Sequence, residues 1–409
     1  MTTPRDAGRV VIVGAGLAGY SAALQLRTLG HDGPIALVDS ESTAYDRPPL
    51  SKRLFGDDFT IDALAFATHE ALAEKDITTH FGSAAVALDP AAPSVSLRGG
   101  SHLEADTVLL TVGGRARSLP IPGIDLPGVH MLRTFEDAVA IRERVSPGVR
   151  AVVIGAGLIG AELTSSLRIA GADVTLVDPV QVPLIPAIGE ALATRLHDMH
   201  TERGVEVIVG VTAEISQSAE HLQVEVDAGP TLPADLVIVG VGLVPNVELA
   251  AAAGLDIDNG VLVDESARTS APGVFAAGDV ARLRDSSGTL HRREEHWEAA
   301  ETSGKHAAYG MLGLDAPARG APWFWSDRHD VHLEAVGRLS GSGKIVVREG
   351  GAYPAVFLVE DGLLVGAAAV DDTNLVRAAR RLIDNRVPVT ATELADPSVS
   401  LRAVLRVSR

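Results

Sequence analysis

The sequence VVIVGAGLAG, residues 10–19, places a glycine-rich turn directly after four apolar residues. An apolar run of that length is typical of a buried strand, and the composition of residues 17–29 predicts a helix. The sequence AVVIGAGLIG, residues 151–160, repeats this arrangement. In both copies a second apolar strand follows the helix, at residues 35–38 and 173–177. We therefore predict two units, each made of a strand, a glycine turn, a helix and a parallel strand.

The two glycine turns have the spacing Gly-x-Gly-x-x-Gly, which is typical of a dinucleotide-binding unit. The glycines allow a tight turn and a close approach of the backbone to a pyrophosphate, and the N-terminus of the following helix faces the phosphates. An acidic residue ends the second strand of each unit, Asp39 in the first copy and Asp178 in the second. A carboxylate near this spacing accepts hydrogen bonds from a ribose diol. Two bound adenine dinucleotides are therefore expected.

Asp178 also bears on the type of the second nucleotide. Residues 179–182, Pro-Val-Gln-Val, contain no Arg or Lys that would neutralise a 2′-phosphate. The Asp178 carboxylate itself would repel that phosphate. We therefore predict that the second nucleotide is NAD(H) rather than NADP(H).

Composition excludes several classes of function. The chain of 409 residues contains 35 Lys+Arg against 53 Asp+Glu, a net charge of -18, which disfavours binding to nucleic acid or to an anionic membrane surface. It contains no Cys, which excludes disulfides, cysteine-ligated metal or iron–sulfur centres, and any mechanism that needs a protein thiol. No leader-like segment and no run of about 18 apolar residues is evident, so a cytoplasmic protein is expected.

Two further apolar strands mark the places where the chain is expected to pass between domains. One ends near residue 112 and precedes a stretch rich in Pro and Gly, and the other ends near residue 239. The prediction is an α/β fold with two Rossmann-like dinucleotide-binding domains and a C-terminal α+β domain. The expected boundaries are residues 1–115 and 245–327 for the first domain, 116–244 for the second and 328–409 for the third.

Beyond the glycine turns, several longer motifs show a family resemblance. They are YDRPPLSK at 45–52, LRTFEDA at 132–138, GDVA at 278–281, EHWEAA at 295–300, PWFWSD at 322–327 and LADP at 394–397. With them the sequence resembles the two-dinucleotide flavoprotein reductases, and within these the ferredoxin reductases that serve bacterial haem-thiolate monooxygenases and Rieske-type oxygenases. The resemblance extends over nearly the whole chain. It implies FAD in the first domain and NAD(H) in the second, and no metal site.

The same resemblance assigns residues to the two cofactors. The FAD residues that it implies are Gly14, Ala15, Gly16, Leu17, Ala18, Gly19, Asp39, Arg47, Lys52, Ala85, Arg133, Gly278, Asp279, His296 and Trp297. The NAD residues are Gly155, Gly157, Leu158, Ile159, Gly160, Glu162, Asp178 and Gly242.

Four side chains are expected by this resemblance to act in catalysis: Lys52, Glu162, Trp297 and Trp325. Lys52 would lie near the flavin N5, where a cation favours the anionic reduced flavin, and Glu162 would be its partner across the boundary between the two domains. The two tryptophans would shield the flavin ring or stack with nicotinamide. Arg328-His329-Asp330, directly after the Trp-Ser-Asp run, is less typical of the family and leaves the preference for an acceptor open.

The function implied is an FAD-dependent NADH:ferredoxin oxidoreductase that passes electrons to a 2Fe-2S ferredoxin, which supplies a cytochrome P450-type monooxygenase or a Rieske oxygenase. A reductase of another small acceptor, such as rubredoxin, a quinone or monodehydroascorbate, would have much the same motifs. A redox sensor similar to apoptosis-inducing factor is a further alternative, and it would require a basic nucleic-acid surface or a long insertion. Reductases that use a redox-active cysteine are excluded by composition.

A ferredoxin is usually acidic, so docking requires a locally basic face. Residues 331–409 contain 10 Lys+Arg and 9 Asp+Glu, whereas residues 1–330 contain 25 and 44. The tail is thus the less acidic part of the chain, and a basic helix is predicted at 374–384. The candidate docking residues are Arg292, Arg293, Lys305, Arg377, Arg380 and Arg381.

Overall fold

The computed structural model describes residues 6–218 and 221–407. Contacts between residues divide the chain into two compact units. The first unit contains the chain up to Arg47, Asp58–Arg115 and Leu243–Arg319, and the second contains Pro48–Asp57, Ala116–Gly242 and the chain from Gly320 onward.

The first unit is built around a parallel sheet with strand Val10–Val13 near its centre. All four residues of this strand are buried, which explains the continuous apolar run, because both faces of a parallel sheet are covered. Along the sheet the order of strands is Val274–Ala276, Thr107–Leu110, Val10–Val13, Ile35–Val38 and Ile77–His80.

Two long helices of the first unit pack closely against each other. They are Leu17–Thr28, which follows the first glycine turn, and Trp297–Met311. A Cβ atom at Gly304 would lie 2.1 Å from the carbonyl oxygen of Ala18, so only glycine permits this approach. The other helical segments are Ile61–Leu64, His69–Ala73, Glu248–Ala252 and the 3₁₀ turn Gly278–Val280.

Short strands complete the first unit. An antiparallel sheet is formed by Ala85–Asp89, Ser94–Leu97 and His102–Glu104, and Val261–Val263 pairs in parallel with Ala281–Leu283. The strands Gly114–Ala116 and Leu243–Pro245 lie where the chain passes from one unit to the other.

The second unit repeats the parallel architecture around strand Arg150–Ile154. The order of strands is Glu206–Val209, Asp173–Asp178, Arg150–Ile154, Leu236–Val239 and Val129–Met131. An antiparallel sheet adds Thr212–Gln217, Leu222–Val226 and Thr231–Ala234. The helices are Pro49–Lys52, Phe135–Arg142, Leu158–Ile169, Ile185–Ile188 and Glu190–Glu202.

The tail of the chain forms an antiparallel sheet followed by helices. The order of strands is Trp323–Arg328, Val331–Gly337, Leu363–Val370, Ala355–Glu360 and Lys344–Arg348, and the helices are Thr373–Asp384, Ala391–Ala395 and Leu401–Val407. Leu382 packs in one apolar cluster with Phe357, while Leu196 packs in another with Val356. The cluster of Leu196 and Val356 joins the tail to helix Glu190–Glu202, so the tail is part of the second unit. The sequence predicted a separate domain at 328–409. That division into three domains stays a prediction.

The predicted fold class is confirmed, because parallel α/β units and a C-terminal α+β region are both present. The basic helix predicted at 374–384 is observed as Thr373–Asp384. Within residues 6–218 and 221–407, none of the helices has the length and apolar character that a membrane crossing requires.

Candidate functional site

The first glycine turn has a backbone that only glycine accommodates at two positions. Gly14 has a φ of 108°, and a Cβ atom there would lie 2.3 Å from the carbonyl oxygen of Thr111. A Cβ atom at Gly19 would lie 1.9 Å from the carbonyl oxygen of Gly14. At Gly16, by contrast, a Cβ atom would meet no described atom within 4 Å. The turn is therefore closed on the side of the sheet and open at Gly16.

The second glycine turn has the same geometry. Gly155 has a φ of 103°, and its Cβ atom would lie 2.5 Å from the carbonyl oxygen of Gly240. A Cβ atom at Gly160 would lie 1.8 Å from the carbonyl oxygen of Gly155. A Cβ atom at Gly157 would again meet no described atom within 4 Å. The sequence repeat is thus a repeat of local structure, including the opening at its middle glycine.

Helix N-termini stand at both openings. Helix Leu17–Thr28 begins after Gly16, and helix Leu158–Ile169 begins after Gly157. In the described part of the chain neither N-terminus is capped by a side chain, and neither first turn contains an acidic residue. Main-chain N–H groups at such an end attract a phosphate. The residues of each turn therefore fit the pyrophosphate of a dinucleotide.

Asp39 and Asp178 connect the second strand of each unit to the glycine turn. Asp39 Oδ2 accepts a hydrogen bond from the Ala15 N–H at 2.5 Å, and Asp178 Oδ2 accepts one from the Ala156 N–H at 2.7 Å. In each case Oδ1 accepts from the N–H two residues later, at 2.9 Å and 2.8 Å. Each oxygen has a second lone pair for a ribose hydroxyl. Both acids therefore fit the ribose contact that their spacing predicted.

The segment around Gly278 lies against the first glycine turn. Gly278 has a φ of 74°, and a Cβ atom there would lie 2.9 Å from the Cβ of Ala18. Its N–H donates to the Ser303 hydroxyl at 2.9 Å, and the carbonyl of Asp279 accepts from Arg293 at 2.7 Å. The structure therefore brings the predicted residues Gly278 and Asp279 next to residues 14–19, although about 260 positions separate them in sequence.

The motif at residues 45–52 meets the motif at 295–300 through one hydrogen bond. The Trp297 indole N–H donates to Asp46 Oδ1 at 2.8 Å, and burial raises the pKa of Asp46 while this bond lowers it. Arg47 pairs with Glu41 at 3.2 Å. His296 is the residue before the helix that Trp297 begins, and burial lowers its pKa.

Some predicted FAD residues lie outside the first unit. Ala85 begins a strand of the first unit, but Lys52 and Arg133 belong to the second. The Arg133 N–H donates to Asp137 at 2.9 Å, next to the capping box of helix Phe135–Arg142. Gly242, predicted for NAD, has a φ of 115° and accepts from the Arg117 N–H at 2.9 Å. The predicted FAD residues are therefore distributed over both units.

Lys52 and Glu162 form a buried ion pair inside the second unit. Lys52 ends helix Pro49–Lys52, and its ammonium contacts Glu162 Oε1. Glu162 is 4% exposed, and it also accepts from the hydroxyls of Ser51 at 2.5 Å and Ser326 at 2.6 Å. Ser166 fixes the short helix by donating to the Ser51 carbonyl at 2.6 Å. The structure therefore brings together the pair that the resemblance implied, with both members in one unit.

Aromatic side chains lie beside Lys52. Trp325 stacks on Trp323 with ring centroids 5.1 Å apart, and the Lys52 ammonium lies 5.7 Å from the Trp325 ring centroid. The Trp323 indole N–H donates to Glu334 Oε1 at 3.1 Å. Asp327 Oδ2 lies 3.9 Å from the Lys52 ammonium. Trp325 therefore lies beside Lys52 in the second unit, whereas Trp297 belongs to the first unit.

Sequence reasoning assigned no partner to four residues that the structure connects to these groups: Asp46, Ser51, Ser326 and Arg328. Three of them lie within the quoted motifs, but the motifs contain no signal for their partners, because Ser51 and Ser326 are 111 and 164 positions from Glu162. Among the described residues, no cluster of His, Cys, Asp and Glu could hold a metal ion.

Comparison with known proteins identifies the family. A profile described as pyridine nucleotide-disulphide oxidoreductase matches residues 8–304, and one described as reductase C-terminal matches residues 323–405. The chain belongs to the pyridine nucleotide-disulphide oxidoreductase family. It is an oxidoreductase, and it lacks the cysteines from which the disulphide members of the family take their name.

Two curated relatives and one solved structure give the resemblance in more detail. The anthranilate 1,2-dioxygenase system ferredoxin–NAD(+) reductase component of Burkholderia cepacia is 38% identical over 97% of this chain and 98% of that protein. Rhodocoxin reductase of Rhodococcus erythropolis is 34% identical over 97% of this chain and 94% of that protein. The reductase in a covalent putidaredoxin reductase–putidaredoxin complex is 33% identical, with a TM-score of 0.91 over 98% of this chain and 99% of that one. The resemblance stated from the motifs is confirmed.

Proposed function

We propose that the protein passes electrons from NADH through bound FAD to a 2Fe-2S ferredoxin, which supplies a cytochrome P450-type monooxygenase or a Rieske oxygenase. The observation that carries this proposal is the presence of two dinucleotide-binding turns, open at Gly16 and Gly157, in a chain without cysteine. Without a thiol the chain has no internal disulfide to reduce, so electrons leave to an external acceptor. The relatives named as ferredoxin–NAD(+) reductases support a ferredoxin as that acceptor.

FAD, when bound, supplies the chemistry of the proposed reaction: it accepts a hydride from NADH and releases two electrons singly. The residues of the first unit that would hold it are those of the first glycine turn, with Asp39 at the ribose and Gly278-Asp279 completing the site. Arg47, Ala85, Arg133 and His296 stay predictions for the same cofactor. The turn around Gly157 would hold the pyrophosphate of NADH in the second unit.

Asp178 is proposed to select NADH over NADPH. Its carboxylate is held by two main-chain N–H groups, so it cannot turn away from the end of its strand without losing both bonds. A 2′-phosphate would be placed next to this fixed negative charge, with no basic residue at 179–182 to compensate.

Lys52, Glu162, Trp297 and Trp325 are proposed to serve the electron transfer itself. Lys52 would present a positive charge to the flavin, and Glu162 is its buried carboxylate partner. Trp325 lies beside the ammonium and Trp297 is fixed by Asp46, so both indoles have defined positions. Positioning and electrostatics are thus the contribution of the chain, and general acid or base catalysis is not required.

A basic face for ferredoxin docking is proposed on helix Thr373–Asp384. Arg377 and Arg381 are exposed, while Leu375 and Leu382 of the same helix are buried, so the helix has one apolar and one basic face. Arg292 is exposed in the first unit. Two further candidates are less suited to docking: Lys305 pairs with Glu301 at 2.7 Å, and the side chain of Arg293 is only 5% exposed. Arg380 lies 4.0 Å from Asp384.

Anaerobic stopped-flow absorbance of the FAD-loaded protein tests the proposal. We expect rapid bleaching of the flavin by NADH, slow bleaching by NADPH, and reoxidation on mixing with an oxidised 2Fe-2S ferredoxin. Rubredoxin, a quinone and monodehydroascorbate serve as competing acceptors in the same instrument. Faster discharge to one of them than to ferredoxin would replace the proposed acceptor. A long-lived reduced complex that none of them discharges would contradict electron transfer and favour the redox sensor.

A further inference from the structure

A second buried cation lies close to the Lys52–Glu162 pair. Arg328, the last residue of strand Trp323–Arg328, is 4% exposed. One guanidinium nitrogen donates to the Ser326 hydroxyl at 3.1 Å, and its buried Nε has no hydrogen-bond partner among the described residues. A buried arginine without a directly bonded carboxylate is costly, because neither charge compensation nor solvation is complete. Its position therefore calls for a reason other than stability.

The Ser326 hydroxyl connects Arg328 to Glu162, and the direction of its two hydrogen bonds is fixed. A guanidinium group only donates hydrogen bonds, so the Ser326 oxygen must accept from Arg328. The single hydroxyl proton is then left for Glu162 Oε1, which lies 2.6 Å away. Ser326 is fully buried, so bulk solvent does not reach either bond. Arg328 is thus connected to the carboxylate of Glu162 through one oriented hydroxyl group.

The other neighbours of Arg328 do not neutralise it. His200 and His329 form a buried pair, with Nδ1 of the first 2.9 Å from Nε2 of the second. Burial is the main cause that lowers the pKa of His200 to about 2 and that of His329 to about 4, and the positive charge of Arg328 contributes to both decreases. Both imidazoles are therefore neutral near pH 7. Burial also lowers the pKa of Arg328 to about 10, partly offset by Glu162, so the guanidinium stays protonated.

Glu162 is shared between two cations. The carboxylate of Glu162 faces two buried cations, the ammonium of Lys52 directly and the guanidinium of Arg328 through Ser326. Asp327 Oδ2 also lies 3.9 Å from the Lys52 ammonium, but its side chain is 41% exposed and therefore screened by water. A second cation beside the same carboxylate offsets part of the negative potential that this carboxylate exerts on the first cation. Arg328 thereby reduces how completely Glu162 neutralises Lys52.

We propose that Arg328 is a positioning residue for electron transfer: acting through Ser326, it shares the charge of Glu162 and so leaves Lys52 more strongly positive toward the flavin. The inference rests on the proposed function, in which Lys52 faces that flavin. Lys52 then favours the anionic reduced flavin more than an isolated lysine–glutamate pair would. The chain thereby sets the flavin midpoint potential higher, and it does so with a residue outside the family motifs.

The midpoint potential of bound FAD, measured by anaerobic dye-linked titration, tests the role of Arg328. In R328Q the amide still donates to Ser326 while the charge is removed, and we expect a shift to a more negative potential. R328K retains a charge and is expected to restore part of the shift. R195Q is the matched control, because Arg195 pairs with Glu202 at the surface of the same unit. An unchanged potential in R328Q, with FAD bound, overturns the inference.

A double-mutant comparison separates the relay from a simple effect of charge. With Ser326 replaced, Arg328 is no longer connected to Glu162, so R328Q should shift the potential less in an S326A background than in the wild type. Equal shifts in both backgrounds would overturn the relay. The KM for NADH should stay unchanged in R328Q, which distinguishes the effect from damage to the nucleotide site.

Stability provides the remaining control. If Arg328 had only a structural role, R328Q would lower the melting temperature. We expect no decrease in the melting temperature of R328Q relative to R195Q, because R328Q removes a buried and incompletely paired arginine. Should R328Q fail to bind FAD, the potentials of R328K and S326A decide the matter, and wild-type values in both would overturn the inference. The proposed function is tested separately by the wild type, since its failure would appear as wild-type flavin that NADH does not reduce or ferredoxin does not reoxidise.

Discussion

The hydroxyl of Ser326 donates a hydrogen bond to the Glu162 carboxylate at 2.6 Å, across 164 positions of sequence. The same carboxylate accepts from Ser51 and contacts Lys52, so donors from two other segments of the second unit meet on one acidic side chain. Because all three donors point at Glu162, this residue determines where the Lys52 ammonium lies. Replacement of Glu162 should therefore affect both the stability of the unit and the chemistry assigned to Lys52.

We expect E162Q to destabilise the protein by about 3 kcal/mol, because it removes the buried carboxylate that contacts the Lys52 ammonium and leaves the more distant, half-exposed Asp327 at 3.9 Å. For a unit of this size that corresponds to a decrease in Tm of roughly 5–10 °C. The measurement is thermal unfolding of the FAD-free protein, so that cofactor binding does not contribute. K52M combined with E162Q should recover part of the loss, and an E162Q protein as stable as the wild type would contradict the assignment.

The glycine turns provide a pair of substitutions with opposite expected effects. A Cβ atom at Gly16 would enter open space, whereas one at Gly19 would lie 1.9 Å from the Gly14 carbonyl oxygen. We expect G16A to fold normally but to bind FAD at least about 10-fold more weakly, because the methyl group occupies the space for the pyrophosphate. G19A should fail to fold the first unit. Circular dichroism and FAD fluorescence distinguish these outcomes, and full FAD affinity in G16A would place the pyrophosphate elsewhere.

The corresponding substitution in the second unit should affect the other nucleotide only. A Cβ atom at Gly157 would also enter open space. For G157A we therefore expect a normal content of bound FAD and a KM for NADH that rises about 10-fold. Steady-state kinetics at saturating ferricyanide measures this KM without involving a ferredoxin. Loss of FAD from G157A, with NADH binding unchanged, would reverse the assignment of the two turns.

Acid pH should destabilise the second unit through the pair of His200 and His329. Both have a folded-state pKa below the ordinary value near 6.5, because burial disfavours the charged imidazole. The unfolded chain therefore binds more protons below that value, and stability falls as the pH drops from about 6.5 towards 4, by about 1.4 kcal/mol per pH unit for each site. Tm of the FAD-free protein should depend less steeply on pH in H200Q than in the wild type. H102Q, at an exposed position, is the control, and identical slopes in all three proteins would refute the linkage.

Charge reversal on helix Thr373–Asp384 tests the proposed docking face. We expect R377E together with R381E to raise the KM for ferredoxin about 10-fold and to weaken its dependence on salt, because two attractive charges become repulsive. Reduction of ferricyanide by NADH should stay at the wild-type rate. R98E, an exposed arginine in the first unit, is the matched control. An equal effect of R98E would indicate that net charge, rather than this face, governs the encounter.

The parallel units could be predicted from sequence because their signals are local. The apolar strand, the glycine turn and the acid that ends the second strand lie within about 30 residues in each copy, and the structure reproduces them near residues 10–39 and 150–178. The basic helix of the tail was also predicted within one residue of its observed start, and its residues Arg377, Arg380 and Arg381 fall at helical spacing. These elements are determined largely by their own composition.

Contacts between distant segments could not be predicted in the same way. The grouping of Lys52 with the second unit depends on the packing of helix Pro49–Lys52 against helix Leu158–Ile169, more than 100 positions away. Arg293 was expected on a docking face from its charge, yet its guanidinium donates to the Asp279 carbonyl and pairs with Glu295. The buried position of Arg328 likewise follows from its strand lying on the helix that carries Glu162. Composition indicates that such residues are charged but not what they face.

The placement of residues 48–57 has a consequence for engineering by exchange of parts. Ser51 and Lys52 are encoded within the sequence that otherwise forms the first unit, yet they contact Glu162, which is encoded more than 100 positions later. A nucleotide-binding cassette limited to residues 116–242 would therefore arrive from a donor protein without its own lysine and serine. The recipient would have to supply both, so hybrids of this family should succeed only when the short helix and the cassette are transplanted together.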